Sequence, residues 1–180
     1  ASKDGCSITG IAATAVAHLR DDASQVSVQV GLTPGSYVTT VAWDKEKGTE
    51  GSTKSILLGT SMGEIYEYSM AAPNSKESNH SPPHLLHKLG SSDDAGPVTG
   101  LVFERLRVGI LVLITTSGRH KRTRFYSFYS AHSSSFRMVM ADSQSQQVEL
   151  PGSVDSAKLI VSKEQFAVNT ATGIYYGRWD

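Results

Sequence analysis

Three glycines, Gly63, Gly118 and Gly173, stand 55 residues apart along the chain, and each closes the same short pattern. A threonine lies three residues before each of them: Thr60, Thr115 and Thr170. The positions seven to five before each glycine are apolar every time, as Ile56-Leu57-Leu58, Leu111-Val112-Leu113 and Phe166-Ala167-Val168. Aromatics follow: Tyr66 and Tyr68, then Phe125 and Tyr126, then Tyr175 and Tyr176. Upstream, "VTTVAWD" at 38–44 matches "VTGLVFE" at 98–104 and aligns Trp43 with Phe103. A unit repeated at such a period cannot bury its apolar face alone, so copies must stack on one another.

Apolar runs without alternation mark strands buried on both faces. A glycine behind a short turn supplies the positive φ that a tight hairpin needs. The period lies above the roughly 40–45 residues of WD40 blades and near the roughly 50 of kelch blades. The polar stretches "DKEKGTEGST" at 44–53 and "MAAPNSKESNHSPP" at 70–83 account for the excess as loops. The expected fold is therefore all-β: a partial β-propeller of roughly three four-stranded antiparallel blades. Residues 1–180 then form part of a single propeller domain, a fragment of a longer protein. Turns are expected at Gly63, Gly118 and Gly173, with the three apolar runs on inner strands. "SITGIAATAV" at 7–16 reads as a degraded copy of "TATGIYYGRW" at 170–179, with Gly10 in the place of the turn glycine. The chain would then begin inside one hairpin and end inside another, although "IAATAVAHL" also suits a short helix. The two Trp-Asp pairs, at 43–44 and 179–180, lack the context of a WD40 signature, and both tryptophans are read as packing residues.

Lysine and arginine number 17 against 17 acidic residues, so no net field draws nucleic acid or an anionic membrane. The single cysteine, Cys6, excludes an internal disulfide framework and a cysteine zinc site, which fits a reducing compartment. The longest apolar run, "ILVLI" at 110–114, is too short to span a bilayer, and no signal-peptide pattern opens the chain. His84 and His87 are three apart, but Pro82 and Pro83 argue for extended backbone, and neither carboxylate nor cysteine lies close in sequence. "GTEGST" at 48–53 has no lysine in the phosphate-cradling position, and no Gly-x-Ser-x-Gly elbow is present. No cofactor is expected. One cluster differs between the three hairpins: "RHKRTR" gathers Arg119, His120, Lys121, Arg122 and Arg124 at the second turn alone. It is a solvated turn or a contact for acidic partner segments or anionic headgroups.

"VAWDKEKGTEGSTKSILLGTSMGEIYEY", at 41–68, resembles the N-terminal propeller of the vacuolar protein sorting-associated protein 18 family. Its Trp-containing strand leads into a loop in which Gly48, Thr49, Glu50, Ser52 and Thr53 match the family's motif, and Ile56 to Thr60 open the hairpin. "LVLITTSGRHKRTRFYSF" and "GIYYGRWD" resemble the two hairpins that follow, so the likeness covers about 37–180. It implies a non-enzymatic module of a HOPS and CORVET tethering subunit. Such a subunit acts in docking and fusion at endosomal, lysosomal or vacuolar membranes. The partners implied are other tethering subunits, SNAREs and small GTPases, with a cytoplasmic, peripheral membrane location. Two alternatives stand beside it: a propeller scaffold outside membrane traffic, and a propeller hydrolase. An incomplete ring is also expected to leave apolar blade faces and strand edges open, favouring self-association.

Overall fold

The computed structural model describes residues 8–11, 15–19, 25–29, 31–43, 55–69, 82–90, 96–107, 109–118, 122–131, 135–142, 146–151, 158–162 and 165–178. They form four antiparallel sheets in chain order. The first holds β1 (Ile8–Ile11), β2 (Ala15–Leu19) and β3 (Gln25–Gln29). The second holds β4 (Val38–Trp43), β5 (Ser55–Thr60), β6 (Glu64–Ser69) and β7 (His84–Lys88). The third holds β8 (Val98–Arg105), β9 (Ile110–Gly118), β10 (Arg122–Ser130) and β11 (Gln146–Leu150). The fourth holds β12 (Lys158–Ser162), β13 (Gln165–Thr170) and β14 (Gly173–Arg178). Each sheet is a meander of sequential neighbours, and β4 packs beside β8 and β8 beside β12. The chain is thus a partial β-propeller, with the first strands of successive blades side by side.

The apolar runs work because successive strand residues point to opposite faces. In β5, Leu57 faces one way with Ile65 and Ala42, while Ile56 and Leu58 face the other with Tyr66 and Tyr68. In β9, Val112 and Ile114 face the second sheet's cluster, and Leu111 and Leu113 face the fourth sheet. Phe103, Val112, Tyr126 and Phe128 thus share one core with Leu57 and Ile65, while Phe125 stacks on Phe166 at 4.8 Å and 8°.

The repeated Val-Thr pair has a structural reason. In both copies the pairing slips by a residue, between Val38 and Thr40 and between Val98 and Gly100, which is a β-bulge. The first bulge turns Thr39 toward the next blade, where its hydroxyl reaches the Val98 carbonyl at 2.7 Å. Gly59 lies at the same crossing, and a Cβ there would run into Thr40 and the Val98 side chain. The repeated threonines explain themselves at two of three turns. Thr60 Oγ1 accepts from the amides of Met62 (3.4 Å) and Glu64 (3.1 Å) across the turn that ends at Gly63, whose φ is 70°. Thr170 Oγ1 accepts from the Thr172 amide at 3.3 Å and donates to the Gly173 carbonyl at 3.0 Å.

The second hairpin departs from expectation. Thr115 pairs with Phe125, and the ladder continues to Gly118 opposite Arg122. Gly118 is therefore the last residue of β9 rather than a turn residue, and Thr115 Oγ1 instead receives the Thr99 hydroxyl at 3.2 Å. The apolar runs do lie on inner strands: β5, β9 and β13 each have a hydrogen-bonded neighbour on both sides. Trp43 and Phe103 are also out of register: Trp43 pairs with Ile56, whereas Phe103 pairs with Val112, the counterpart of Leu57. Ala42 and Phe103 are the equivalent buried residues, and Trp43 turns outward at 38% exposure. Gly10 sits inside β1 opposite Ala17, so the N-terminal copy does not place it at a turn, and β1 and β2 displace the helical alternative. Trp179 lies outside the described residues.

One helix was not anticipated. α1 (Phe136–Asp142) links β10 to β11 and buries Phe136, Val139 and Met140, the i, i+3, i+4 face of a single turn. Phe136 meets Phe103 edge to face at 4.6 Å, and the Arg105 guanidinium lies 5.6 Å from its ring centre. The sequence hides it, because five apolar residues in seven, at Phe136 and Met138 to Ala141, mark no single helical face and also suit a strand.

Phe103→Ala should cost about 3–5 kcal/mol, as a truncated aromatic leaves a cavity between blades. Trp43→Ala should stay within about 0.5 kcal/mol. Urea titration followed by circular dichroism separates the two, and equal losses would contradict the register described.

Candidate functional site

Of the basic cluster, Arg122 and Arg124 are described, while Arg119, His120 and Lys121 lie outside the described residues. Arg122 and Arg124 are alternate residues at the start of β10 and so share a face. The acidic Glu149 of β11 stands directly opposite Arg124 and pairs with Arg122 Nη1 at 3.0 Å. Both partners are well exposed, so this pair adds little stability, but it offsets part of the positive field on that face. The loop residues Gly48, Thr49, Glu50, Ser52 and Thr53 also lie outside the described residues.

The structure instead assembles a polar cluster the sequence did not reveal. Glu64, the first residue of β6, is 2% exposed. Its carboxylate receives the Thr33 hydroxyl at 2.8 Å, the Tyr66 hydroxyl at 3.1 Å and Lys88 Nζ at 2.8 Å. The Thr33 amide also points to the Tyr66 hydroxyl at 3.3 Å. Burial pushes the carboxyl up, but the hydrogen bonds from Lys88, Thr33 and Tyr66, with the Lys88 charge, outweigh it and hold Glu64 below its ordinary range. Lys88 moves the other way, raised by its bond to Glu64. A carboxylate so fully engaged is an anchor, not a proton carrier. It ties the segment before β4 to the β5–β6 hairpin and the neighbouring β7 edge. In sequence, a glutamate behind a turn glycine reads as solvated, because its three donors come from 31 residues upstream, two ahead and 24 ahead.

His84 and His87 lie on extended β7, as the adjacent prolines imply. His84 is exposed, whereas half-buried His87 meets the Phe128 ring edge to face at 5.1 Å, and burial lowers its pKa. Among the described residues no group of three or more His, Cys, Asp or Glu side chains could hold a metal ion. An apolar cleft of about 610 Å³ opens between the third and fourth sheets, lined by Leu113, Phe125, Val148, Phe166, Tyr175 and neighbouring residues. Its walls are the same side chains that join the two blades, continued outward to β11 and β14.

Stacked antiparallel meanders with their polar groups engaged in hairpins and blade junctions define a β-propeller module. The family model of the Pep3/Vps18/deep orange β-propeller domain matches residues 29–180, and the chain belongs to that family. A curated relative, "Vacuolar sorting protein 18" of Arabidopsis thaliana, is 30% identical over 153 residues, which is 79% of this chain and 14% of the relative. The chain therefore spans about a seventh of that relative's length. No solved structure matches. The family match takes in both four-stranded sheets and the three-stranded fourth.

The Glu64 cluster sets a pH dependence. Because its pKa is lowered on folding, its contribution is present at neutral pH and is lost as pH falls through the lowered value. Glu64→Gln should cost about 1–3 kcal/mol at pH 7, since the buried donors lose a charged acceptor, and should flatten the acid limb of stability. His87 adds a second slope of the same sign, with stability falling as pH drops below about 6.5 toward its lowered pKa. Denaturant midpoints of wild type, Glu64→Gln and His87→Leu from pH 3 to 8 check both. An unchanged acid limb in Glu64→Gln would contradict the anchoring role.

Proposed function

We propose that the chain is a non-enzymatic docking module of a vacuolar protein sorting subunit, acting in vesicle tethering, docking and membrane fusion at endosomes and the lysosome or vacuole. The observation that carries this reading is the family match across residues 29–180, joined to a relative whose printed name is that of a vacuolar sorting protein. Blade stacking supports it physically. Broad apolar contacts between sheets make a stiff body whose loops and turns are free to meet other proteins.

Its partners in this reading are the other subunits of HOPS and CORVET tethering complexes, with SNAREs and small GTPases as further contacts. It works on the cytoplasmic side, held at late endosomal, lysosomal or vacuolar membranes through those partners. No helix among the described residues is long and apolar enough to cross a membrane. Within the module, the turn carrying Arg119, His120, Lys121, Arg122 and Arg124 is the proposed contact for an acidic partner segment. Each cation there is worth on the order of 1 kcal/mol against an anionic surface. The loop of Gly48, Thr49, Glu50, Ser52 and Thr53 is the second proposed contact, since its sequence carries the family's motif.

Two measurements test this. The purified chain mixed with the remaining purified tethering subunits should co-elute with them on size exclusion. A folded chain that elutes alone would overturn the tethering role. Charge reversal at Arg119, Lys121, Arg122 and Arg124 should weaken that association at low ionic strength, where screening is least, while stability changes within about 0.5 kcal/mol. Loss of binding to anionic vesicles alone would assign the turn to headgroups, and unchanged binding to both would leave it a solvated turn.

A further inference from the structure

The Glu64 cluster holds down a short segment that carries a modifiable hydroxyl. Residues 31–37, "GLTPGSY", lead the chain into β4 and belong to no strand. Thr33 opens a turn there: the Ser36 amide donates to the Thr33 carbonyl at 2.9 Å, Pro34 follows, and Gly35 has φ 80°. That is a type II turn, with proline and glycine in the places it favours. Gly31, Pro34, Gly35 and Tyr37 are exposed, so the turn stands at the surface, while Thr33 is partly buried. Its hydroxyl donates to Glu64 Oε1 at 2.8 Å, and its amide points to the Tyr66 hydroxyl at 3.3 Å. Leu32 packs against the cluster of Ile56, Leu58, Tyr66 and Tyr68. Among the described residues, Thr33 alone is a serine or threonine that precedes a proline.

We infer that Thr33 is a phosphorylation site for a proline-directed serine/threonine kinase, and that the modification unlatches residues 31–37 from the hairpin of β5 and β6. Kinases of this class take an extended residue followed by proline, whose ring fixes φ and which has no amide hydrogen. In the transfer, Thr33 Oγ1 attacks the γ-phosphorus of ATP. The bond from that phosphorus to its bridging oxygen breaks, ADP leaves with the electron pair, and the hydroxyl proton passes to the kinase's catalytic carboxylate. The product cannot keep its old contact. Thr33 Oγ1 has lost the hydrogen it gave Glu64, and an added charge of about −1.5 to −2 now stands against a carboxylate that is 2% exposed. Lys88 Nζ already holds Glu64 Oε1 at 2.8 Å, so one cation would have to serve two anions. Moving the turn outward into water relieves the repulsion at the cost of the Leu32 contact. The bistable element is therefore the segment itself, docked when Thr33 carries a hydroxyl and released when it carries a phosphate. The switch is independent of the tethering role proposed above.

The intact folded chain, incubated with ATP and a proline-directed kinase of the mitogen-activated class and mapped by tandem mass spectrometry, tests the site. Phosphate is expected on Thr33, and Pro34→Ala should abolish it. Glu64→Gln, which weakens the latch, should speed the modification about tenfold, the change in open population that 1.4 kcal/mol represents. Hydrogen exchange of the phosphorylated chain tests the release. The amides of Thr33 and Ser36 should exchange faster than in the unmodified chain, while those of β9 keep their protection, which separates release of the segment from general unfolding. Phosphate that reaches Thr33 only in the urea-unfolded chain overturns the site, as does phosphate confined to Ser81, which also precedes a proline. Phosphorylated Thr33 with unchanged exchange at Thr33 and Ser36 overturns the latch, as does exchange that rises equally in β9.

Discussion

The contact on which the rest depends is the apolar seam between the second and third sheets. Leu57 and Ile65 from one sheet and Phe103, Val112, Ile114, Tyr126 and Phe128 from the other form one buried cluster, closed at one end by Phe136, Val139 and Met140. Both β5 and β9 also bury their opposite faces, so neither strand has a side turned to water. A register slip of one residue would exchange these faces everywhere at once. The bulges at Val38–Thr40 and Val98–Gly100 act against such a slip at the blade junction, where Thr39 bonds across to Val98 and Gly59 leaves no room for a side chain.

Around that seam the polar groups are used for fastening. Thr60 and Thr170 satisfy turn amides that a valine of the same shape would leave bare. Glu64 collects three donors from three separate stretches of chain and stays ionised although almost no solvent reaches it. These are the features of a scaffold. Their chemistry is spent on fixing backbone, which suits the docking role proposed above.

The period was legible because it resides in local chemistry: apolar runs, turn threonines and glycines all follow from what one hairpin needs. The displaced second turn was not legible, because "TTSGRHKRT" contains a plausible early turn at Gly118 and only the longer ladder to Arg122 decides against it. Trp43 was misplaced for a similar reason. The Val-Thr match at 38 and 98 is real, but the two strands then pair one residue out of step, and one residue reverses the face. Of the candidate site, sequence could locate the basic residues but not Glu149, which lies 25 residues beyond Arg124 and becomes its neighbour only through β11. The Glu64 anchor was beyond reach for the same reason, since it is defined by what lies beside it in space.

Native-state hydrogen exchange tests most directly whether the seam makes the second and third sheets one cooperative unit. Amides of β5 and β9 should be the slowest of the described residues and should share one opening free energy, equal to that of global unfolding. Separate opening free energies for the two strands, with either sheet exchanging while the other stays protected, would contradict it.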